Sequence, residues 1–202
     1  MMSQKRRESW GQHRRGILEA AHRLLLADGV HGVTLPVLAT RLGCSHGTIL
    51  HHFGSITHLR EDLAHYMADR ICALVRKAIV DNGETASTVW QVVEIVFLVF
   101  GEEGGLHLAE PLLRSSANIA PFARVLIAIH HLVESLCDFG NELSRLITQT
   151  LVLYALGDAL VGKQLGDALY LSHSSVRDLT ASWLTYAVQE MRVQPRAEYG
   201  DK

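Results

Sequence analysis

The sequence predicts an all-α protein. Apolar residues recur at helical spacings of three and four, and no convincing segment alternates apolar and polar residues as a strand does. Glycine and asparagine breaks, rather than hairpin turns, separate the periodic segments. The chain has 202 residues, of which 48% are hydrophobic and 20% charged, so its composition is that of a globular protein and excludes disordered or fibrous classes.

The first two helices are marked by caps and breakers. Ser9 and Gln12 form a capping box for the first helix, which the pattern predicts to end near Asp28 and Gly29. Thr34 is suited to cap a short second helix. Gly43 follows that helix at the position that favours left-handed backbone.

The third and fourth helices follow directly. Ser45 caps the third, which breaks at Gly54, and Ser55 opens the fourth. The fourth spans about 25 residues before Asn82 and Gly83 stop it. Five more helices bring the total to nine, at roughly 86–103, 106–117, 119–139, 142–164 and 173–192.

Charge is distributed unevenly along the chain. Residues 1–60 carry eight Lys and Arg against three Asp and Glu, a formal charge of +5. Residues 61–202 carry eleven against eighteen, a charge of −7. This asymmetry predicts a cationic module joined to an anionic one, with a polyanion as the partner of the first. A chance fluctuation in charge is the alternative.

Other sequence features indicate the cellular setting. No apolar run approaches the roughly 20 residues that span a bilayer, and the polar amino end lacks a secretory signal. We therefore expect a cytoplasmic protein without a membrane partner. Cys44, Cys72 and Cys137 are odd in number and far apart, which argues against a disulfide framework or a structural zinc site. No metal or cofactor is expected.

Residues 34–53 have the spacing of a helix-turn-helix, and six short patterns lie within and around them. In order these are Arg14-x-x-Ile17-Leu18-x-Ala20-Ala21, Asp28-Gly29, Thr34, Leu38-Ala39, Leu42-Gly43-x-Ser45-x-Gly47-Thr48-Ile49 and His52-Phe53-Gly54-Ser55-x-x-x-Leu59. With them, residues 14–59 closely resemble the amino-terminal domain of the TetR family of bacterial transcriptional regulators. The rest of the chain is similar to that family in length, helicity and helix count.

The resemblance implies a nine-helix, Ω-shaped homodimer in which the third helix reads DNA and the carboxy-terminal domain holds a small-molecule pocket. It divides the chain into a helix-turn-helix domain, residues 1–56, and an effector-binding and dimerisation domain, residues 57–202. The candidate DNA-binding residues are helix caps and the polar or matching positions of the third helix: Thr34, Ser45, His46, Thr48, Leu50, His51, His52 and Ser55.

Two positions depart from the family pattern. Leu50 stands where the family usually has tyrosine and Ile56 where it usually has lysine, so two phosphate contacts are lost and affinity should become less salt-sensitive. The basic segment 5–7 with Arg14 and Arg15 could compensate. The histidines at 51, 52 and 58 could also do so when protonated, and we expect operator binding to strengthen as pH falls from about 8 to 6.

Candidate effector-binding residues are isolated polar or aromatic groups on apolar helices, for which core packing is the alternative role. They are Tyr66, Arg70, Trp90, Glu94, Phe97, His107, Phe122 and His130. Residues 141–162 have almost no polar face and match an apolar stripe on the last helix, which indicates a four-helix dimer seam or packing within one subunit. The candidate seam residues are Leu153, Tyr154, Gly157, Leu160, Val161, Val176, Leu179, Trp183 and Tyr186.

The sequence thus predicts a DNA-binding regulator, preferentially a repressor released from a pseudo-palindromic operator by a small effector. One alternative is a ligand-sensing or protein-binding relative with weakened or lost DNA binding. The other is a helical metal-dependent hydrolase using His130, His131 and Cys137, but adjacent histidines point about 100° apart on a helix and no E-x-x-H pair supports it. We therefore expect no enzymatic activity.

Overall fold

A computed structural model describes residues 2–81, 88–110, 118–136 and 141–193. These residues are helical with short turns and contain no strand. No helix among them combines the length and apolarity that crossing a bilayer requires. The predicted all-α class is confirmed.

Four helices form the amino-terminal part of the chain. They are α1 (Met2–Gly32), α2 (Leu35–Leu42), α3 (His46–Phe53) and α4 (Ile56–Asp81). The backbone of α1 leaves helical geometry at Gly29, where φ is 68°, close to the predicted end of the first helix. The predicted start is wrong, because α1 begins seven residues before Ser9 and that residue lies inside the helix. Asn82 and Gly83 lie outside the described residues.

Five further helices follow. They are α5 (Val89–Gly101), α6 (Gly105–Ala109), α7 (Ala120–Glu134), α8 (Asn141–Leu169) and α9 (Ser175–Val193). The capping box that opens α5 was not predicted: Thr88 Oγ1 accepts from Gln91 N, while Thr88 N donates to Gln91 Oε1. Its effect is to begin α5 later than the pattern suggested.

Two predicted helix ends are wrong. α7 ends at Glu134, where the chain turns, rather than near residue 139. α8 continues five residues past the predicted end at 164, because a π-helical turn, Asp158–Gly162, carries the chain into a second α-helical part, Lys163–Leu169. Of the helix predicted over 106–117, the structure describes Gly105–Ala109, and residues 111–117 lie outside the described part.

The chain divides into two compact units. The first comprises residues 1–70 and 107–121, and includes α1, α2, α3, the first part of α4 and the last part of α6. Its core is formed by fully buried apolar side chains of these helices: Leu24, Leu38, Ile49, Leu59 and Met67. The predicted helix-turn-helix domain, residues 1–56, lies wholly inside this unit.

The second unit comprises residues 71–106 and 122–202. Within it, α5 packs against α8 and α9, and α8 also contacts α9. The buried centre consists mainly of aromatic and branched side chains: Phe97, Phe100, Ile129, Leu132, Leu151 and Leu184.

Candidate nucleic-acid interface

The turn between α2 and α3 depends on one glycine. Gly43 has φ 63° and ψ 32°, a left-handed conformation that costs an L-residue free energy and glycine little. Its N–H donates to Thr40 O at 3.3 Å, and Cys44 N–H donates to Ala39 O at 3.0 Å. These bonds satisfy the last carbonyls of α2, so the helix ends sharply and the chain reverses into α3.

Ser45 fixes the start of α3. Its side-chain oxygen accepts a hydrogen bond from Thr48 N at 3.1 Å and lies 3.0 Å from Thr48 Oγ1. The predicted cap is therefore confirmed. Thr34 occupies the cap position of α2 in extended backbone, but its side chain makes no capping hydrogen bond. Its hydroxyl is thus not committed to the helix it precedes.

α3 has one buried face and one exposed face. Ile49 and Phe53 anchor it in the core, at 0% and 6% exposure. The candidate DNA-binding residues at its start and on its outer face are exposed: Ser45, His46, Thr48 and His51. Leu50, His52, Thr34 and Ser55 are half-buried. An apolar anchor below and donors above are what a helix needs to present side chains to a groove.

The first helix contributes an aromatic contact that the sequence interpretation missed. The ring of Trp10 lies 4.0 Å from that of His52, and 4.8 Å from that of His51 in an edge-to-face arrangement. His13 stacks parallel to His52 at 6.4 Å. Trp10 and His13 precede Ile17 by seven and four residues, so the periodicity of α1 already placed all three on one face.

This packing changes the protonation of His52. Burial lowers its pKa below the ordinary value of 6.5, and the nearby charges of His51, His13 and Arg14 lower it further. Its Nδ1 is buried and has no hydrogen-bond partner among the described residues. His52 is therefore neutral near pH 7 and is a poor source of the positive charge expected of it.

Two of the arginines proposed to compensate for Leu50 and Ile56 are engaged elsewhere. Arg14 pairs with Asp62 and lies over the Phe53 ring, 4.9 Å from its centroid. The Nε of Arg15 donates to Glu19 at 3.2 Å. Both guanidinium groups already contact carboxylates, which weakens the expectation that they replace phosphate contacts. The basic segment 5–7 belongs to α1, and its side chains lie outside the described residues.

The candidate effector-binding residues are divided between the two units, so each group is described by itself. In the first unit, Tyr66 is half-buried with its ring 6.0 Å from that of His22, and Arg70 is exposed. His107 is half-buried beside Glu110, with Nδ1 and Oε2 4.0 Å apart. His107 lines a cavity in this unit.

In the second unit, two candidates share one arginine. Arg177 donates from Nη1 to Glu94 Oε2 at 3.0 Å, and its guanidinium lies 5.5 Å from the centroid of the buried Phe97 ring. This contact joins residues 83 positions apart and had no local signal in the sequence. Phe122 is buried at 6% exposure, whereas Trp90 is 45% exposed.

His130 lies in a polar cluster. Its Nδ1 is 3.1 Å from Thr148 Oγ1, and its Nε2 is 3.4 Å from one oxygen of Glu134. His131 Nδ1 lies 3.1 Å from the other oxygen of Glu134. Across the described ranges, no three or more His, Cys, Asp and Glu side chains are arranged to hold a metal ion. Cys137 lies outside the described residues.

The candidate seam residues form an apolar surface on α8 and α9. The eight with side chains are between 40% and 72% exposed, and Gly157 is exposed as well. Other residues of the same helices, such as Leu151 and Leu184, are fully buried. The single chain therefore leaves this surface exposed, whereas the alternative of packing within one subunit would have buried it.

Comparison with known proteins supports the helix-turn-helix assignment. Residues 17–63 match the family model described as bacterial regulatory proteins, tetR family. The chain is also 29% identical over 91 residues to the nucleoid occlusion factor SlmA of Photorhabdus laumondii. That alignment covers 45% of this chain and 45% of the relative, so it spans less than half the length of either.

Proposed function

Because the chain belongs to the TetR family of bacterial regulatory proteins, carrying the family's DNA-binding domain at its amino end, we propose that it represses transcription as a homodimer. In this proposal the dimer grips a pseudo-palindromic operator and leaves it when a small effector binds. The observation that carries the proposal is α3, which is anchored through Ile49 and Phe53 and exposes Ser45, His46 and Thr48 at its start.

The exposed groups of α3 suit both backbone and base contacts. Hydroxyls such as those of Ser45 and Thr48 accept or donate hydrogen bonds, and His51 adds a ring nitrogen on the same exposed surface. α3 exposes only a few such groups and few cations accompany them. Electrostatic attraction should therefore contribute only modestly to the affinity for DNA. Each lost phosphate contact makes the slope of log K for DNA binding against log salt concentration shallower by about 0.9.

Dimerisation is supported by the apolar surface on α8 and α9. Contiguous exposed apolar surface of this kind marks an interaction site. A two-fold dimer would hold two copies of α3 at a spacing near one duplex turn, about 34–36 Å, which a pseudo-palindrome matches. Release by effector then requires that the effector favour a conformer in which this spacing differs. By linkage, operator should weaken effector binding by the same factor as effector weakens operator binding.

The test is binding to duplex DNA flanking the chain's own gene, against excess genomic competitor, at several salt concentrations. Thr48→Ala and His51→Ala should each weaken binding about 5- to 150-fold if they contact base edges. Thr40→Ala is the matched control, because Thr40 is exposed on α2 and is not a candidate contact. Equal loss in the control and the α3 variants, with all three folded, would contradict the role of α3.

A second candidate function is a ligand-sensing or protein-binding relative that has lost DNA binding. The engagement of Arg14 with Asp62 and of Arg15 with Glu19, together with Leu50 and Ile56, favours it. The same titration separates the two functions. A preferred duplex with a measurable salt slope supports the regulator, whereas no preference over genomic competitor at low salt supports the alternative.

A further inference from the structure

A partly open cavity of about 290 Å³ lies in the first unit, among the carboxy-terminal end of α1, the first part of α4 and the last part of α6. Its walls are mostly apolar side chains: Leu25, Val30, Val33, Leu63, Ala64, Met67 and Leu108. Ligand sites in proteins occupy about 300–1,000 Å³ and combine an apolar wall with a few polar groups. The size therefore suits a small ligand.

Arg60 is the cation of this cavity. Its Nη2 donates to Val33 O at 3.0 Å, and the structure pairs it with no carboxylate among the described residues. A guanidinium carries five N–H donors, so most of its capacity is not used by that one carbonyl. Its planar fork matches a carboxylate, with which it forms two parallel charge-assisted hydrogen bonds.

The other two polar groups of the cavity contact each other. His107 Nδ1 lies 4.0 Å from Glu110 Oε2. Burial lowers the pKa of His107, while Glu110 opposes that shift. Near pH 7 the imidazole is thus neutral and can donate or accept one hydrogen bond. A neutral His107 does not balance the charge of Glu110, so Arg60 is the one of these three polar groups that offers a positive charge to an anion.

We propose that this cavity binds a small amphipathic carboxylic acid, with the carboxylate on Arg60 and the hydrocarbon part against Leu25, Leu63 and Met67. These three side chains line the cavity, so the hydrocarbon part would leave water and lie against apolar groups. The site is distinct from the residues predicted for effector binding, of which His107 alone lines it within the described chain. Binding of the acid does not depend on the proposed function.

The test is calorimetric titration of the whole chain with octanoate and with its neutral isostere octanamide. Octanoate should bind one per chain and about 2- to 5-fold more tightly than octanamide, the range expected of an ion pair with an exposed arginine. Arg60→Met should abolish this preference while leaving octanamide affinity unchanged. Arg23→Met is the matched control, because Arg23 is an exposed cation of α1 outside the cavity and should retain the preference.

A second variant tests the location. Ala64→Phe places a ring in the cavity and should remove binding of both compounds, while circular dichroism shows whether the helices persist. If Ala64→Phe fails to fold, the comparison of Arg60→Met with Arg23→Met still decides the proposal. Equal affinity for octanoate and octanamide, a preference that survives in Arg60→Met, or no saturable octanoate binding up to about 1 mM would overturn it. None of these titrations contains DNA, so a failure to bind operator is a separate result.

Discussion

The turn between α2 and α3 gives a test in which two glycines respond in opposite directions. A Cβ added at Gly43 would meet no atom within 4 Å, so a Gly43→Ala change introduces no clash. The whole cost is conformational, because Gly43 has φ 63° and a left-handed L-residue costs about 1–2 kcal/mol. Gly43→Asn should cost less, since asparagine tolerates this conformation.

Gly47 is the matched position. It lies in the first turn of α3, and its Cβ would meet Ser45 Oγ at 3.6 Å, an ordinary contact. It is not among the glycines with positive φ. Alanine should therefore be favoured in this helical position by about 0.5–1 kcal/mol. The two changes add the same methyl group four residues apart in the chain and neither introduces a clash, so backbone conformation is the main difference between them.

For a chain of about 200 residues, 1 kcal/mol shifts the melting temperature by roughly 2–4 °C. Gly43→Ala should lower it by about 2–8 °C, and Gly47→Ala should raise it by about 1–4 °C. The assay is circular dichroism melting at one fixed protomer concentration, because association makes the midpoint concentration-dependent. If Gly43→Ala has the melting temperature of the wild type, or if both variants shift the melting temperature in the same direction, the left-handed conformation at Gly43 does not determine the stability of the turn.

Three further outcomes are expected. Ile49→Ala should reduce the free energy of unfolding by about 2–5 kcal/mol in urea denaturation, since Ile49 is 0% exposed; a loss below about 1 kcal/mol would contradict its role as an anchor. Because the pKa of His52 is lowered in the folded chain, stability should fall as pH drops below about 6.5, and His52→Gln but not His58→Gln should flatten that fall in melts at several pH values. Leu179→Glu should dissociate a dimer in analytical ultracentrifugation, whereas Val80→Glu, at the same 72% exposure on α4, should not.

Local signals account for the parts of the fold that the sequence predicted well. The positive φ of Gly43 and the cap at Ser45 are properties of a few adjacent residues, and both are confirmed. The break at Gly29 is of the same kind. Such positions have one favoured residue type, so the turn of the helix-turn-helix could be predicted without tertiary information.

Features that depend on distant residues were not predictable in this way. The contact of Arg177 with Glu94 joins α9 to α5 and leaves no trace in local periodicity. The π-helical turn in α8 is similar, because an extra residue in one turn shifts every later side chain around the helix. The exposed apolar residues Leu165 and Leu169 therefore do not continue the pattern of 3.6 residues per turn that precedes them. For this reason the predicted helix ended at residue 164.

The candidate contacts on α3 stay predictions, and the structure sharpens the one that concerns pH. His52 packs against Trp10 at 4.0 Å with a lowered pKa, so the folded contact between α1 and α3 favours its neutral form. Protonation of His52 therefore acts against the arrangement that positions α3. Operator affinity should decline once His52 takes up its proton, and His52→Gln should remove that decline.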